Sequence, residues 1–259
     1  MKKFCLISLF LLLFPAQAQA AAVQHNFTIF LGPFNAGKTR FTYTLHPREY
    51  NVRSKVKTAG IFNTLYPFTA EYATTGKIKG KDLETSSYKY KSQSRFNTRR
   101  KELIYDQNGN PVYRISAKND KVKKVEIEPS PDNKDTTDLQ TVIAELALQY
   151  NKNKNCNARM QIFDGKRRFD TIFKDEGKEE ITANEYSSFG GTAHKCSMYI
   201  DKLLNDGDDL LWELTSEKPI YFWILEDKES RLPFIARIEI EDTPLGKLQV
   251  FTQTIQTEK

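Results

Sequence analysis

Apolar and polar side chains exchange places every second residue along much of this chain, the pattern of strands with one covered face. Phe27, Ile29 and Leu31 alternate with Asn26, Thr28 and Phe30, and Phe41, Tyr43 and Leu45 alternate with Arg40, Thr42 and Thr44. Tyr50, Val52, Ser54 and Val56 continue the period against Asn51, Arg53 and Lys55. "TAGIFNTLYPF" breaks it at Gly60 and Pro67, with room for one short helical turn. Phe68 to Ile78 and Leu83 to Arg95 read as long, mostly solvated strands. Leu103–Tyr105 and Val112–Ile115 flank "DQNGNP", in which Asn108-Gly109 is a strong hairpin signal.

Residues 118–136 read as a polar link, with "PSPDNKD" its most turn-rich piece. The period then changes. Leu139, Val142, Ile143, Leu146, Ala147 and Tyr150 recur at helical spacing, so a helix is expected over 137–150, capped by Thr137 or Asp138. Strands return at Met160–Phe163 and Phe169–Phe173 around the Asp164-Gly165 turn. "PIYFWIL", Pro219 to Leu225, is apolar on both faces and reads as a central strand. Phe234–Ile240 and Leu248–Thr252 follow through a Thr243–Gly246 turn.

The first twenty residues belong to a different class. Lys2 and Lys3 precede an apolar run from Phe4 to Phe14, and Ala16-Gln17-Ala18 and Ala18-Gln19-Ala20 offer small-x-small cleavage sites. The expectation is a cleaved export signal over 1–20, followed by one β-rich domain over 21–259. The destination is the periplasm where the cell has two membranes. No later stretch is apolar for long enough to cross a bilayer.

Export bears on the motif Gly32–Thr39, which spells G-x-x-x-x-G-K-T, the pattern of a phosphate-binding loop. That loop needs a helix after it, whose N-terminus points N–H groups at the phosphates. Here the residues after Thr39 keep period two, and Pro47 would stop a helix early. The segment reads as a hairpin with Lys38 at the start of its return strand, and no nucleotide is expected.

Of 39 basic residues, the loss of Lys2 and Lys3 leaves 37 against 33 acidic, a balance of +4. That mild excess suits anionic surfaces such as lipid head groups and does not demand nucleic acid. Lys77 to Lys101 is rich in Lys and Arg with Tyr88, Tyr90 and Phe96 among them. Such a stretch can grip single-stranded nucleic acid, but a wet sheet face with long side chains guarding an edge is the simpler reading. Arg99, Arg100, Lys166, Arg167 and Arg168 are the candidate contacts for an anionic partner, the last three against a solvated hairpin tip as the plain alternative. "NDGDDL", Asn205 to Leu210, lacks calcium-loop spacing and reads as a turn. Asn26-Phe27-Thr28 fits the glycosylation triplet on what reads as a strand.

Two cysteines outlast export, Cys156 and Cys196. A pair in an oxidising compartment is most simply a disulfide, here closing a loop of about 40 residues. The alternatives are a free thiol or a metal site around His194-Lys195-Cys196, with only His25 and His46 as further histidines, both far away in sequence. No catalytic set, metal ligand set or cofactor motif is assigned.

One dense segment, "CNARMQIFDGKRRFD" from Cys156 to Asp170, resembles the signature of an exported bacterial family, domain of unknown function 3108. "FTIFLGPFNAGKTRFTY", "KTAGIFNTLYPF", "RRKELIY", "TDLQTVIAELA", "AHKCSMY" and "LPFIARIEI" follow that family's order over nearly the whole chain after residue 20. The resemblance implies no catalytic residues and no nucleotide role for Gly37-Lys38-Thr39, and it fits a Cys156–Cys196 bridge. It also implies likeness to periplasmic lipoprotein and lipid carriers. In those, a curved, incompletely closed antiparallel sheet, an open barrel or β-spiral, wraps one helix around an apolar cavity. The expected role is therefore a non-catalytic envelope protein that binds or carries a lipid, a lipoprotein or a protein partner. The alternatives are a structural module without a cavity, and a peptidoglycan or polysaccharide hydrolase, which would need two carboxylates lining one cleft.

Overall fold

The computed structural model describes residues 21–80, 82–130, 133, 136–202, 215–228 and 231–258. The proposed signal over 1–20 and the Asn205–Leu210 turn lie outside the described residues.

The strands in chain order are β1 Ala21–Leu31, β2 Phe34–Leu45, β3 Glu49–Thr58, β4 Phe68–Lys79, β5 Asp82–Ser94, β6 Thr98–Tyr105, β7 Pro111–Lys118, β8 Lys121–Glu126, β9 Ala158–Phe163, β10 Arg168–Ile181, β11 Gly191–Lys202, β12 Ile220–Glu226, β13 Pro233–Thr243 and β14 Gly246–Glu258. A single turn of helix, α1 Gly60–Leu65, precedes β4, and α2 Leu139–Asn153 separates β8 from β9. All fourteen strands join one antiparallel sheet in the order β8-β7-β6-β5-β4-β3-β2-β1-β14-β13-β12-β11-β10-β9. The first and last described strands thus meet in the middle. The two edges, β8 and β9, are consecutive in sequence, and the segment joining them carries α2.

The sheet curls without closing. The Asp164–Arg167 turn packs across the gap onto the opposite half, where Lys101 Nζ donates to the Asp164 carbonyl (3.1 Å) and Arg114 to that of Gly165 (2.7 Å). Just before α2, Thr137 bridges to the free side of β9, its N–H donating to the Gln161 carbonyl and Phe163 N–H to the Thr137 carbonyl. Backbone groups that an open edge would leave to water are partly satisfied in this way.

From Phe34 onward the G-x-x-x-x-G-K-T segment is extended. Lys38 pairs with Thr28 in β1 and with Lys57 in β3, and β2 runs on to Leu45. The reversal sits at Gly32 (φ 55°) and Pro33, so Asn35-Ala36-Gly37 lies inside β2 and Lys38 is its fifth residue rather than its first. The polar link over 118–136 also needs correction: its first third is β8, paired with β7 from Tyr113↔Glu126 to Lys118↔Lys121. Its residues are almost all exposed, so no apolar alternation announces it; backbone pairing with the open side of β7 makes it a strand. The lysines of Lys77–Lys101 guard no edge, because β4, β5 and β6 are interior strands. Lys121, Lys123 and Lys124 on β8 do that.

Helix α2 starts on Asp138, whose side chain accepts from Gln140 N–H and Thr141 N–H, and ends at Lys154 in the left-handed conformation (φ 54°). Its expected stripe divides its labour. Val142, Leu146 and Tyr150 pack into a core with Cys156, Ile162, Phe173, Cys196, Phe222 and Ile224. Leu139, read as part of the stripe, is 51% exposed, whereas Gln140 and Thr141 are buried. The reason is a polar flank that faces β3, β4 and β5. Ser54 donates to Gln140 (2.9 Å), Tyr50 pairs with Thr141 (2.8 Å), and Thr74 and Thr85 donate to Asp138 (2.8 and 3.0 Å). In β4, Gly76 makes room for this arrangement, since a Cβ there would lie 2.2 Å from the Tyr50 ring.

Candidate functional site: an apolar cavity beneath the helix

Between its two packed flanks, α2 turns Ile143, Ala144, Leu146 and Ala147 toward the middle of the sheet, where β1, β2, β12, β13 and β14 pass underneath. They do not meet it everywhere. A cavity of about 270 Å³ remains, walled by side chains such as Phe27, Phe41, Tyr43, Phe234 and Val250. That is just under the roughly 300 Å³ at which ligand cavities commonly begin. The strand period explains the wall: Val23, His25 and Phe27 share the inward face of β1, and Phe41 and Tyr43 that of β2, because alternate residues face the same side.

Besides Thr39 and Ser54, one further polar residue lines the cavity, His25. Its ring is buried (5% exposed) among Phe27, Phe41, Tyr43 and Phe234, with ring centroids 5.9–6.5 Å away. Nε2 has no hydrogen-bond partner among the described residues. Burial pushes the imidazole down from 6.5 to about 4, so the ring is neutral at pH 7. Sequence reading weighed His25 only as a remote partner for Cys196. The signal that marks it was available: one polar residue at an inward position between Val23 and Phe27.

Carboxylates near the cavity are few and structural. Asp138 is fully enclosed; desolvation raises its pKa despite four hydrogen bonds that favour the ionised form. Glu145 on α2 is pushed up to about 7, also by burial first. On the other face of the sheet lies a groove of about 880 Å³ whose walls include Glu71 and Glu102. Each is held by a lysine, Lys55 (2.6 Å) and Lys89 (3.0 Å) respectively. Among the described residues no group of three or more His, Cys, Asp or Glu could hold a metal ion, and no helix is long and apolar enough to cross a membrane.

Cys156 and Cys196 are joined as a disulfide, Cα atoms 6.0 Å apart, at the C-terminal end of α2. The bridge pins the helix to β11 within the apolar core. His194, the neighbour weighed as a thiol partner, instead lies 3.4 Å from Asp175 and edge-on to Tyr150. Asn26, of the glycosylation triplet, donates to Thr254 Oγ1 across β1 and β14 (2.8 Å).

The five basic candidates are not one patch. Arg99 and Arg100 point to opposite faces of β6, as adjacent strand residues must. Arg100 joins Arg53, Lys55, Lys89 and Lys91 around the outer groove. Arg99 and Arg100 both border a second hollow of about 430 Å³, with Lys101, Lys118, Lys121 and Lys123. At the 164–168 tip, Lys166 is exposed, while Arg167 is engaged by the Asp164 side chain at 2.6 Å. Burial opposes ionisation of Asp164, but Lys101 and Arg167 outweigh it and hold this carboxyl below its usual range.

With this geometry in place, comparison with known proteins is informative about ancestry and fold. Residues 26–248 match the family described as protein of unknown function DUF3108. The chain belongs to the DUF3108 family. No curated protein matches it. Among solved structures it is similar to a beta-barrel-like protein of domain of unknown function DUF1849 from Brucella abortus. That likeness has a TM-score of 0.50 at 7% identity, over 93% of this chain and 98% of that one. At that identity the likeness shows the fold alone. This DUF3108 protein therefore carries the mainly β, curved and unclosed antiparallel sheet that the family resemblance implied.

Proposed function

We propose that this DUF3108 protein is an exported, non-catalytic envelope protein that holds the acyl chain of a lipid or lipid-modified protein in the cavity beneath α2. The observation that carries the reading is the cavity itself. It is lined mainly by apolar side chains from α2 and five strands, with Thr39, Ser54 and the neutral imidazole of His25, whose Nε2 has no partner among the described residues, in the wall. A chain of methylenes gains by leaving water for such a lining, about 0.8 kcal/mol for each one buried. A neutral His25 suits a polar end group that is uncharged or shares a proton, since a fixed charge would lose its hydration there. The disulfide supports export, because such bridges persist in oxidising compartments.

The test uses N-phenyl-1-naphthylamine, a dye that fluoresces in apolar sites, and its displacement by lauric and palmitic acids. Wild type is expected to light the dye and release it to a fatty acid. Ala147→Phe places a ring in the cavity and is expected to abolish both signals while the unfolding midpoint stays within a few degrees. Equal dye signal in wild type and Ala147→Phe would remove the cavity from the account.

A further inference from the structure

The exposed apolar residues of this chain are distributed unevenly. Large apolar side chains open to solvent among the described residues are Phe34, Ile61, Leu65, Tyr66, Phe96, Val122, Leu139, Leu148 and Leu245. Two of these, Leu139 and Leu148, are on α2. The other seven all lie at one end of the strands. Antiparallel register puts the β7–β8, β5–β6, β3–β4, β1–β2 and β13–β14 connections on the same rim, and these five are consecutive along ten adjacent strands. Each presents at least one such residue in the connection or within the first two residues of the strand after it: Val122, Phe96, the Ile61–Leu65–Tyr66 group, Phe34 and Leu245 in that order.

Neighbouring connections are tied together, so the rim is a continuous surface. Gly32 N–H donates to Lys247 O (3.1 Å), Ala59 N–H to Ala36 O (3.0 Å) and Arg95 to Thr64 O (3.4 Å). On the opposite rim, the connections at 46–48, 106–110 and 227–232 carry no exposed large apolar residue among those described.

Cations crowd the same arc. Segments 57–69, 93–100 and 117–124 hold Lys57, Arg95, Arg99, Arg100, Lys118, Lys121, Lys123 and Lys124 against one acid, Asp120. None of these eight makes an ion pair with a described residue. Apolar tips set among unpaired cations match a surface that is anionic outside and apolar a few ångströms deeper. An acidic protein face would answer the charges but not five separate apolar tips spread along ten strands.

We propose that this rim docks on the surface of an anionic phospholipid bilayer, with Phe96, Tyr66, Phe34 and Leu245 entering the headgroup boundary and Arg99 and Lys121 meeting phosphates. The proposal is independent of the cavity: a rim that fails to bind leaves the dye experiment unaffected, and an occluded cavity leaves the rim intact.

Flotation with vesicles of phosphatidylcholine alone or with one-quarter phosphatidylglycerol tests it. Intact mass reports whether residues 1–20 are present, and all variants are compared in the same form. Wild type is expected to float with the anionic vesicles and to be released by salt, since screening weakens exposed charge contacts. Arg99→Gln with Lys121→Gln should weaken partitioning about thirtyfold, from the usual contribution of a cation near a charged bilayer. Phe96→Ser with Leu245→Ser should also release it, with an unchanged unfolding midpoint because both side chains are exposed. Phe96→Trp should shift its emission to the blue on anionic vesicles and be quenched by lipids brominated along the acyl chain. The proposal is overturned by absence of flotation, by flotation that both double variants retain, or by self-association that the apolar variants abolish without any vesicle binding.

Discussion

His25→Phe tests the interior of this protein most directly. The folded imidazole titrates near 4 and the unfolded one near 6.5. Between those values the unfolded chain binds the extra proton and the folded chain does not. Stability is thus unaffected by His25 above about pH 7 and is lost as pH falls through the window, by about 3 kcal/mol in full. At pH 5 the loss is about 2 kcal/mol by the same linkage relation, close to a 0.7–1 M drop in urea midpoint for a slope near the top of the usual range. Phenylalanine cannot bind the proton, and the adjoining cavity has space for its ring. The assay is urea unfolding of both forms from pH 7.5 to 4.5, followed by tryptophan fluorescence. The wild-type-minus-variant difference should open as pH falls, with the variant the more stable. A flat difference would mean that His25 is hydrated or partnered in the folded protein, and the apolar lining argued here would be wrong.

Glu145 supplies the opposite slope. Its pKa is raised to about 7 by burial, so the stability lost at that group appears as pH rises from 4.5 through 7; Glu145→Gln should remove that decline and raise the urea midpoint at pH 8. Asp138→Ala removes the helix cap and leaves the hydroxyls of Thr74, Thr85 and Thr141 short of an acceptor. The expected cost is about 3 kcal/mol, measured by urea unfolding at pH 7, and a cost below about 1 kcal/mol would mean the network is not held in water-free surroundings. Cys156→Ser with Cys196→Ser opens a covalent loop with a sequence separation of 40, and should lower stability by up to about 4 kcal/mol in the loop-entropy model. Thiol counting on the denatured wild type, without reductant, should find neither residue free.

Where a residue's neighbours in sequence are also its neighbours in space, the sequence was readable. The extended path after Thr39 follows from the period of Phe41, Tyr43 and Leu45, and the hairpin at Asn108-Gly109 from the positive φ that glycine accepts (78°). The start of α2 at Asp138 follows from the capping preference, and the depth of β12 from an apolar run on both faces. In each case one or two turns of chain carry the physical cause. The same locality explains the misplacement of the β1–β2 reversal by a few residues, because two turn-forming groups, Gly32-Pro33 and Asn35-Ala36-Gly37, lie side by side.

Other features depend on residues far apart in the chain. Gln140 and Thr141 are polar by composition, and only the arrival of Ser54, Tyr50, Thr74 and Thr85 from three strands makes their burial favourable. β8 has no apolar face, and pairing with β7 alone makes it a strand. Arg99 and Arg100 were grouped because they are adjacent; the strand alternates their side chains, and only the arrival of β7 and β8 beside β6 makes both border one hollow. By itself, then, the sequence determined most of the elements, since local backbone preference and period decide those, and its motifs carried the resemblance to the family and to a curved sheet around one helix. Tertiary structure alone decided which side chains wall the space beneath α2, with His25 among them, and that scattered apolar tips gather onto one rim. Those depend on which distant surfaces approach one another, and no local period encodes that.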